Sequence, residues 1–170
     1  TTWGVFYQDD DTGMSQANII LLNSFKRRME FPELKQKAYE EYKDWEPDSL
    51  IIEAKASGDP LIQDLALAGI RAIPFVPNKY GDKLQRVRLI TPLIEGGRVW
   101  LPAKPPSYDK LLPFADEFIE SVACFPNSES RDLVDTMTQA LLKLKDGQFL
   151  RHPKDERPSP PSYYKEIKVY

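Results

Sequence analysis

The sequence predicts an α/β fold with a mixed sheet flanked by helices, and three observations carry that prediction. Two β-branched and aromatic runs, residues 1–7 (TTWGVFY) and 18–25 (NIILLNSF), stand on either side of a turn-forming QDDDTG, which is a hairpin pattern. Two short apolar runs then follow, residues 49–52 (SLII) and 72–76 (AIPFV), with helical text before and between them. That alternation is how parallel strands are laid down. Residues 108–123 and 130–144 carry helical rather than strand periodicity.

The elements follow in order. Residues 1–7 form a strand, 8–13 a turn, and 18–25 a second strand, antiparallel to the first. Phe31-Pro32-Glu33 opens a helix, with proline in the first turn where its missing N–H is harmless. Leu34, Ala38, Tyr42 and Trp45 share one face of it, and Pro47 ends it. Residues 49–52 form a short apolar strand that ends in Glu53. AKASGDP is a loop, and Leu61, Ile62, Leu65 and Ala68 mark a short helix after Pro60. Pro74 makes the next strand an edge strand or ends it early. Residues 82–94 read as a helix with Leu84, Val87, Ile90 and Ile94 inward and Pro92 weakening the last turn. Gly96-Gly97 is a turn before the short strand 99–101, and residues 102–106 are a proline-rich connector. Residues 108–123 read as helical, with Leu111, Leu112, Ala115, Phe118 and Val122 on one side. Residues 130–144 follow as a helix with the stripe Leu133, Val134, Met137, Ala140, Leu141 and Leu144. Residues 1–150 are thus expected to form one domain, and the polar, proline-rich residues 151–170 a disordered tail.

Composition excludes several function classes. With 170 residues, 41% of them hydrophobic and 29% charged, the chain is long and apolar enough for a core of its own. A single cysteine, Cys124, excludes an internal disulfide and points to a reducing compartment. One cysteine and one histidine, His152, do not make a usual structural zinc site or a Cys-His or Ser-His-Asp catalytic system. No GxxxxGK[ST] is present, so the sequence holds no P-loop. No apolar run is long enough to span a bilayer, the start does not read as a signal peptide, and no membrane partner is expected. The start also lacks a methionine, which reads as a fragment or a processed chain. A net charge of −3 excludes a wholly basic nucleic-acid coat and leaves room for a local basic groove.

Three sets of residues carry candidate chemistry. Glu53 is a carboxylate delivered at the carboxyl end of a strand, where ligands collect in α/β sheets, and carboxylate oxygens suit Mg²⁺ or Mn²⁺. A solvated strand-end glutamate is the alternative. Asp132 and Asp135 lie three apart on the helix side opposite the apolar stripe and would complete a metal site with Glu53. The alternatives are a solvated helix face, or Asp132 stabilising the helix N-terminus. Lys79, Lys83, Arg86, Arg88 and Arg98, together with Lys55, would form a basic face for phosphates, or plain solvated surface. Asp9-Asp10-Asp11 reads as a charged turn rather than a ligand set.

Four stretches of text add a resemblance. LIIEAKASGDPLIQDL is similar to the segment of phage terminase large subunits in which an apolar strand ends in Glu and runs into a K-A-S-G loop. RMEFPELKQKAYEEYKDWEPD resembles the helix before that strand, and GDKLQRVRLITPLIEGGRVWLP the basic helix and Gly-Gly-Arg hairpin of the family. ACFPNSESRDLVDTMTQAL resembles its last acidic segment. The resemblance covers roughly residues 1–145 in order and spacing.

What the resemblance implies is the RNase H-like nuclease domain of a viral DNA-packaging terminase, cutting concatemeric double-stranded viral DNA by a two-metal mechanism with Mg²⁺ or Mn²⁺. By position, Glu53 is the second catalytic acid, Asp132 belongs to the third cluster and Asp135 is its neighbour, all three as metal ligands. Lys55, Lys83 and Arg86 lie in segments that resemble the family's active-site face and are the expected DNA contacts. Portal protein and small terminase subunit are the implied protein partners, and the host cell cytoplasm at the procapsid portal the implied location. Two departures accompany the resemblance. The family's first catalytic Asp belongs on a strand ahead of TTWGVF, outside this sequence, so the RNase H-like sheet is expected without its first strand. Where the family carries His-Asp-Asp-x-x-Asp, this sequence has Ser130-Arg131-Asp132-Leu133-Val134-Asp135, with Arg131 placing positive charge where metal is expected. A catalytically inactive DNA- or portal-binding remnant is therefore the alternative reading, and a cellular junction-resolving nuclease of the same fold a third.

Overall fold

The structure, a computed structural model, describes residues 1–9, 13, 15–55, 57–127 and 131–147. The expected tail 151–170 lies outside them. In chain order the elements are β1 Thr2–Asp9, β2 Ser15–Asn23, α1 Phe31–Trp45, β3 Leu50–Glu53, α2 Gly58–Leu67, β4 Ala72–Phe75, a 3-10 turn Pro77–Tyr80, α3 Lys83–Glu95, β5 Val99–Trp100, α4 Pro113–Ala123 and α5 Asp132–Asp146. They fall into two compact units. One comprises the described residues of 1–26 and 83–147, and the other those of 27–82.

The first unit carries the mixed sheet. β1 and β2 pair antiparallel with Trp3 opposite Leu21, Val5 opposite Ile19 and Tyr7 opposite Ala17, and β5 adds parallel to β2 in the order β1-β2-β5. Because side chains alternate along a strand, those paired residues share one face. Val5, Ala17, Ile19 and Leu21 are all buried there. Phe118 of α4, itself buried, meets Trp3 edge-on with ring centroids 5.7 Å apart. On the other face Phe6 and Trp100 meet edge-on at 5.6 Å. α5 packs against both α3 and α4, so its buried face is wider than the stripe read from sequence. Thr138, Gln139 and Leu142 are buried with Leu133, Val134, Met137 and Leu141, whereas Ala140 and Leu144 are half-buried.

α3 and α4 differ further from expectation. In α3 the buried positions are Arg86, Ile90 and Leu93, while Leu84 and Ile94 are exposed. Apolar residues occur on several sides of this helix, so periodicity alone does not choose the inward face. Its contact with α5 does, and it takes an arginine inward (i, i+4, i+7). The helix also runs on through Pro92 to Glu95. α4 begins at Pro113 rather than near residue 108. The preceding residues close on themselves through the Ala103–Leu111 bridge and the Lys104–Lys110 backbone bond, with Tyr108 left-handed at φ 56°. Proline then starts the helix without losing a needed hydrogen bond.

The second unit has its own small core. Leu61, Leu65 and Ile70 are buried, and Phe31, Leu34, Ala38, Tyr39 and Tyr42 of α1 pack on them with Leu50 and Ile52 of β3. Trp45, expected on that face, is instead exposed at the helix end, where Glu46 turns left-handed and donates its N–H to the Tyr42 carbonyl. A Lys35–Asp64 pair at 2.9 Å ties α1 to α2. β3 and β4 pair in parallel as a two-stranded sheet, from Leu50 opposite Ala72 to Glu53 opposite Phe75. Pro74 is tolerated because β4 is an edge strand whose second side needs no N–H. The antiparallel hairpin and the parallel pair predicted from sequence are both present, each in its own sheet.

Candidate functional site

Glu53 is positioned by backbone. It is the last residue of β3, half-buried, and the ladder continues one step past it through the Ala54 N–H to the Phe75 carbonyl at 2.9 Å. The chain then folds back sharply. Lys55 donates its N–H to the Glu53 carbonyl, and Gly58 donates to the Lys55 carbonyl, both at 2.9 Å. Gly58, the first residue of α2, runs against the strand end so closely that an added Cβ would lie 1.8 Å from the Glu53 carbonyl oxygen. Only glycine permits that approach. Lys55 is exposed on the loop. After β4, Tyr80 stacks on the buried Phe75 ring at 5.4 Å, and the Lys79 ammonium lies 5.4 Å from the Tyr80 ring centroid.

Asp132 and Asp135 open α5, and cations hold both. Asp135 is engaged at each oxygen: the Arg86 guanidinium donates to Oδ1 at 2.8 Å, and Lys83 Nζ lies 2.6 Å from Oδ2. Lys83 also donates to the Arg131 carbonyl at 3.4 Å. Arg86 is 6% exposed, so its guanidinium is held inside the α3–α5 contact and has little surface to offer a phosphate. Asp132 is largely solvent-exposed and lies 3.5 Å from Lys26. Nothing in the local sequence announces Lys26, which comes from the far end of the hairpin. The signal for Arg86 was its spacing from Ile90 and Leu93.

Of the wider basic set, Arg88 is exposed, whereas Arg98 directs two guanidinium N–H groups at the Ala17 carbonyl, at 2.9 and 2.6 Å, and so braces β5 against β2. The structure brings together Lys83, Arg86 and Asp135, and separately Lys26 and Asp132. Glu53 belongs to the other compact unit.

The acids can be tested as metal donors. Among the described residues no group of three or more His, Cys, Asp or Glu side chains is arranged to hold a metal ion. Around Asp132 and Asp135, three cations stand at ion-pair distance against two carboxylates. A dication needs surplus negative charge and free oxygens, so the acids of this unit do not by themselves fit one. The arrangement suits an anion's surroundings better than a cation's.

Fold and site together define an α/β protein with a mixed sheet and acidic residues at element ends. Over residues 20–144 the chain matches the family model of the terminase RNaseH-like domain, and it belongs to that family. Neither a curated relative nor a solved structure matches it. No helix among the described residues is long and apolar enough to cross a membrane.

Proposed function

We propose that this chain serves a viral DNA-packaging terminase as its DNA-cutting domain. The family match over residues 20–144 carries the reading. Double-stranded viral DNA is the substrate, and the portal protein and small terminase subunit are the assembly partners, at the procapsid portal in the host cytoplasm. Mg²⁺ or Mn²⁺, when bound, would supply an activated water and a neutralised leaving oxygen. Glu53 and Asp132 are the carboxylates of this chain offered to it. Glu53 is held at a strand end by its backbone ladder and turn, and the exposed Asp132 stands 3.5 Å from an exposed lysine. Lys55 and Lys83 are each proposed to meet phosphates; Arg86 acts from within the fold.

Metal affinity grows with the number of charged ligands, and among the described residues no three acids are gathered. Weak Mn²⁺ binding and slow cutting are therefore expected of the chain by itself. Incubation of plasmid DNA with the protein and Mn²⁺ tests this: slow nicking or cleavage that Glu53→Ala abolishes supports the reading, and cutting unchanged in that variant overturns the role of Glu53. DNA binding should be independent of sequence and fall steeply with salt. The observed cations on Asp132 and Asp135 favour a second reading, a domain of the same fold that binds DNA or the portal without cutting. Salt-sensitive DNA binding with no cleavage at any Mn²⁺ concentration would select it.

A further inference from the structure

We infer that Asp135 is not a metal ligand but a positioning residue, the counter-ion that locks α3 onto α5 and sets Lys83 at the mouth of α5. The geometry is specific. Both Asp135 oxygens are used, one by a guanidinium that is 6% exposed and one by an ammonium at 2.6 Å. Asp135 itself is mostly covered, with 21% of its side chain exposed. Drawing it off to a metal would take a carboxylate away from a guanidinium held inside the protein, which is a costly change for a fold. Asp132, three residues earlier on the same helix, is placed differently: 74% of its side chain is exposed, and Lys26 sits 3.5 Å away. Two acids that look alike in sequence are thus in different physical states.

The lock has a consequence for Lys83. An ammonium has three N–H donors. Here two go to the Asp135 carboxylate and the Arg131 carbonyl, which fixes the nitrogen beside the first turn of α5, with 26% of the side chain open to solvent. A cation held in this way meets a phosphate without the loss of side-chain freedom that a loose surface lysine suffers on binding. Arg86 on the next turn of α3 supplies the buried half of the clamp and leaves the phosphate to Lys83.

The DNA part of this assignment rests on the proposed nuclease reading; the lock does not. Three measurements on the full chain separate them. Thermal melts in EDTA of Arg86→Met, Asp135→Leu and the double variant come first: the lock predicts that the double variant loses less melting temperature than the two single losses combined, and strict additivity overturns it. Fluorescence anisotropy of a short DNA duplex comes second. Removing a negative charge should by plain electrostatics tighten DNA binding. A positioned Lys83 predicts the reverse: Asp135→Asn weakens binding, Lys83→Met weakens it at least as much, and combining them adds nothing to Lys83→Met. Tighter or unchanged binding by Asp135→Asn overturns the positioning role. Third, Mn²⁺ titration followed by EPR should leave the affinity of Asp135→Asn at the wild-type value and lower that of Asp132→Asn. An equal loss in both makes Asp135 a ligand and overturns the assignment. A wild-type chain that binds neither DNA nor Mn²⁺ defeats the nuclease reading, and the melting cycle then still decides whether the lock exists.

Discussion

The corner around Glu53 and the corner around Asp135 both present a carboxylate at the end of a regular element, and they are built by opposite means. Glu53 is set by backbone: a parallel ladder carried one step past the strand, a tight turn at Lys55, and a glycine pressed against its own carbonyl. Asp135 is set by side-chain charge, with a buried guanidinium and a half-buried ammonium drawn from another helix. A backbone-built corner places its carboxylate without spending it on holding two helices together. A charge-built corner spends its carboxylate on holding the structure together. The same residue class thus does different work according to what fixes it.

Substitutions that strike each corner at its own support put this contrast under strain. The largest effect is expected at the charge-built corner. Asp135→Ala should cost about 3 kcal/mol, because it removes a carboxylate from beside the buried Arg86 charge. Urea denaturation would measure it, and a loss no greater than that of an ordinary surface substitution would mean the pair is ornamental. Next comes the backbone-built corner. Gly58→Ala should cost about 2 kcal/mol, because the methyl has to displace the Glu53 carbonyl or the start of α2. Faster amide hydrogen exchange confined to the β3–α2 turn would locate the damage. A smaller effect is expected from Glu53→Gln, which keeps the backbone and should change stability by less than about 0.5 kcal/mol while removing metal binding. The smallest belongs to Asp132→Asn, worth about 0.3 kcal/mol at low salt and vanishing as salt screens the exposed Lys26 pair. A large, salt-independent loss there would erase the distinction drawn between the two aspartates.

Much of the fold was legible because local rules dominate it. The hairpin follows from two apolar runs with a turn between them, α1 from Pro32 and its apolar face, and the loop after Glu53 from the AKASGDP text between strand and helix. The family resemblance, carried by LIIEAKASGDPLIQDL and three further segments, agrees with the family match. Less legible were the helix faces and ends. α3 turned Arg86 inward and left Leu84 out, Trp45 stayed exposed, and α4 waited for Pro113 while residues 103–111 closed a loop. The α3 face was settled by a partner distant in sequence, Asp135, and the helix ends by turns whose closure the periodicity does not show.

By itself, then, the amino-acid order determined where strands and helices occur, that Glu53 ends a strand, and which family the chain joins. These depend on residues within a few positions of one another, whose periodicity and turn chemistry can be read along the chain. Only the tertiary structure decided that Arg86 is a buried clamp rather than a surface cation, that Arg98 braces β5, that Lys26 reaches Asp132, and that Asp135 has both oxygens engaged. The reason is the nature of charge. A side chain's electrostatic partner is chosen by proximity in space, and Arg86 and Asp135 are 49 residues apart in sequence.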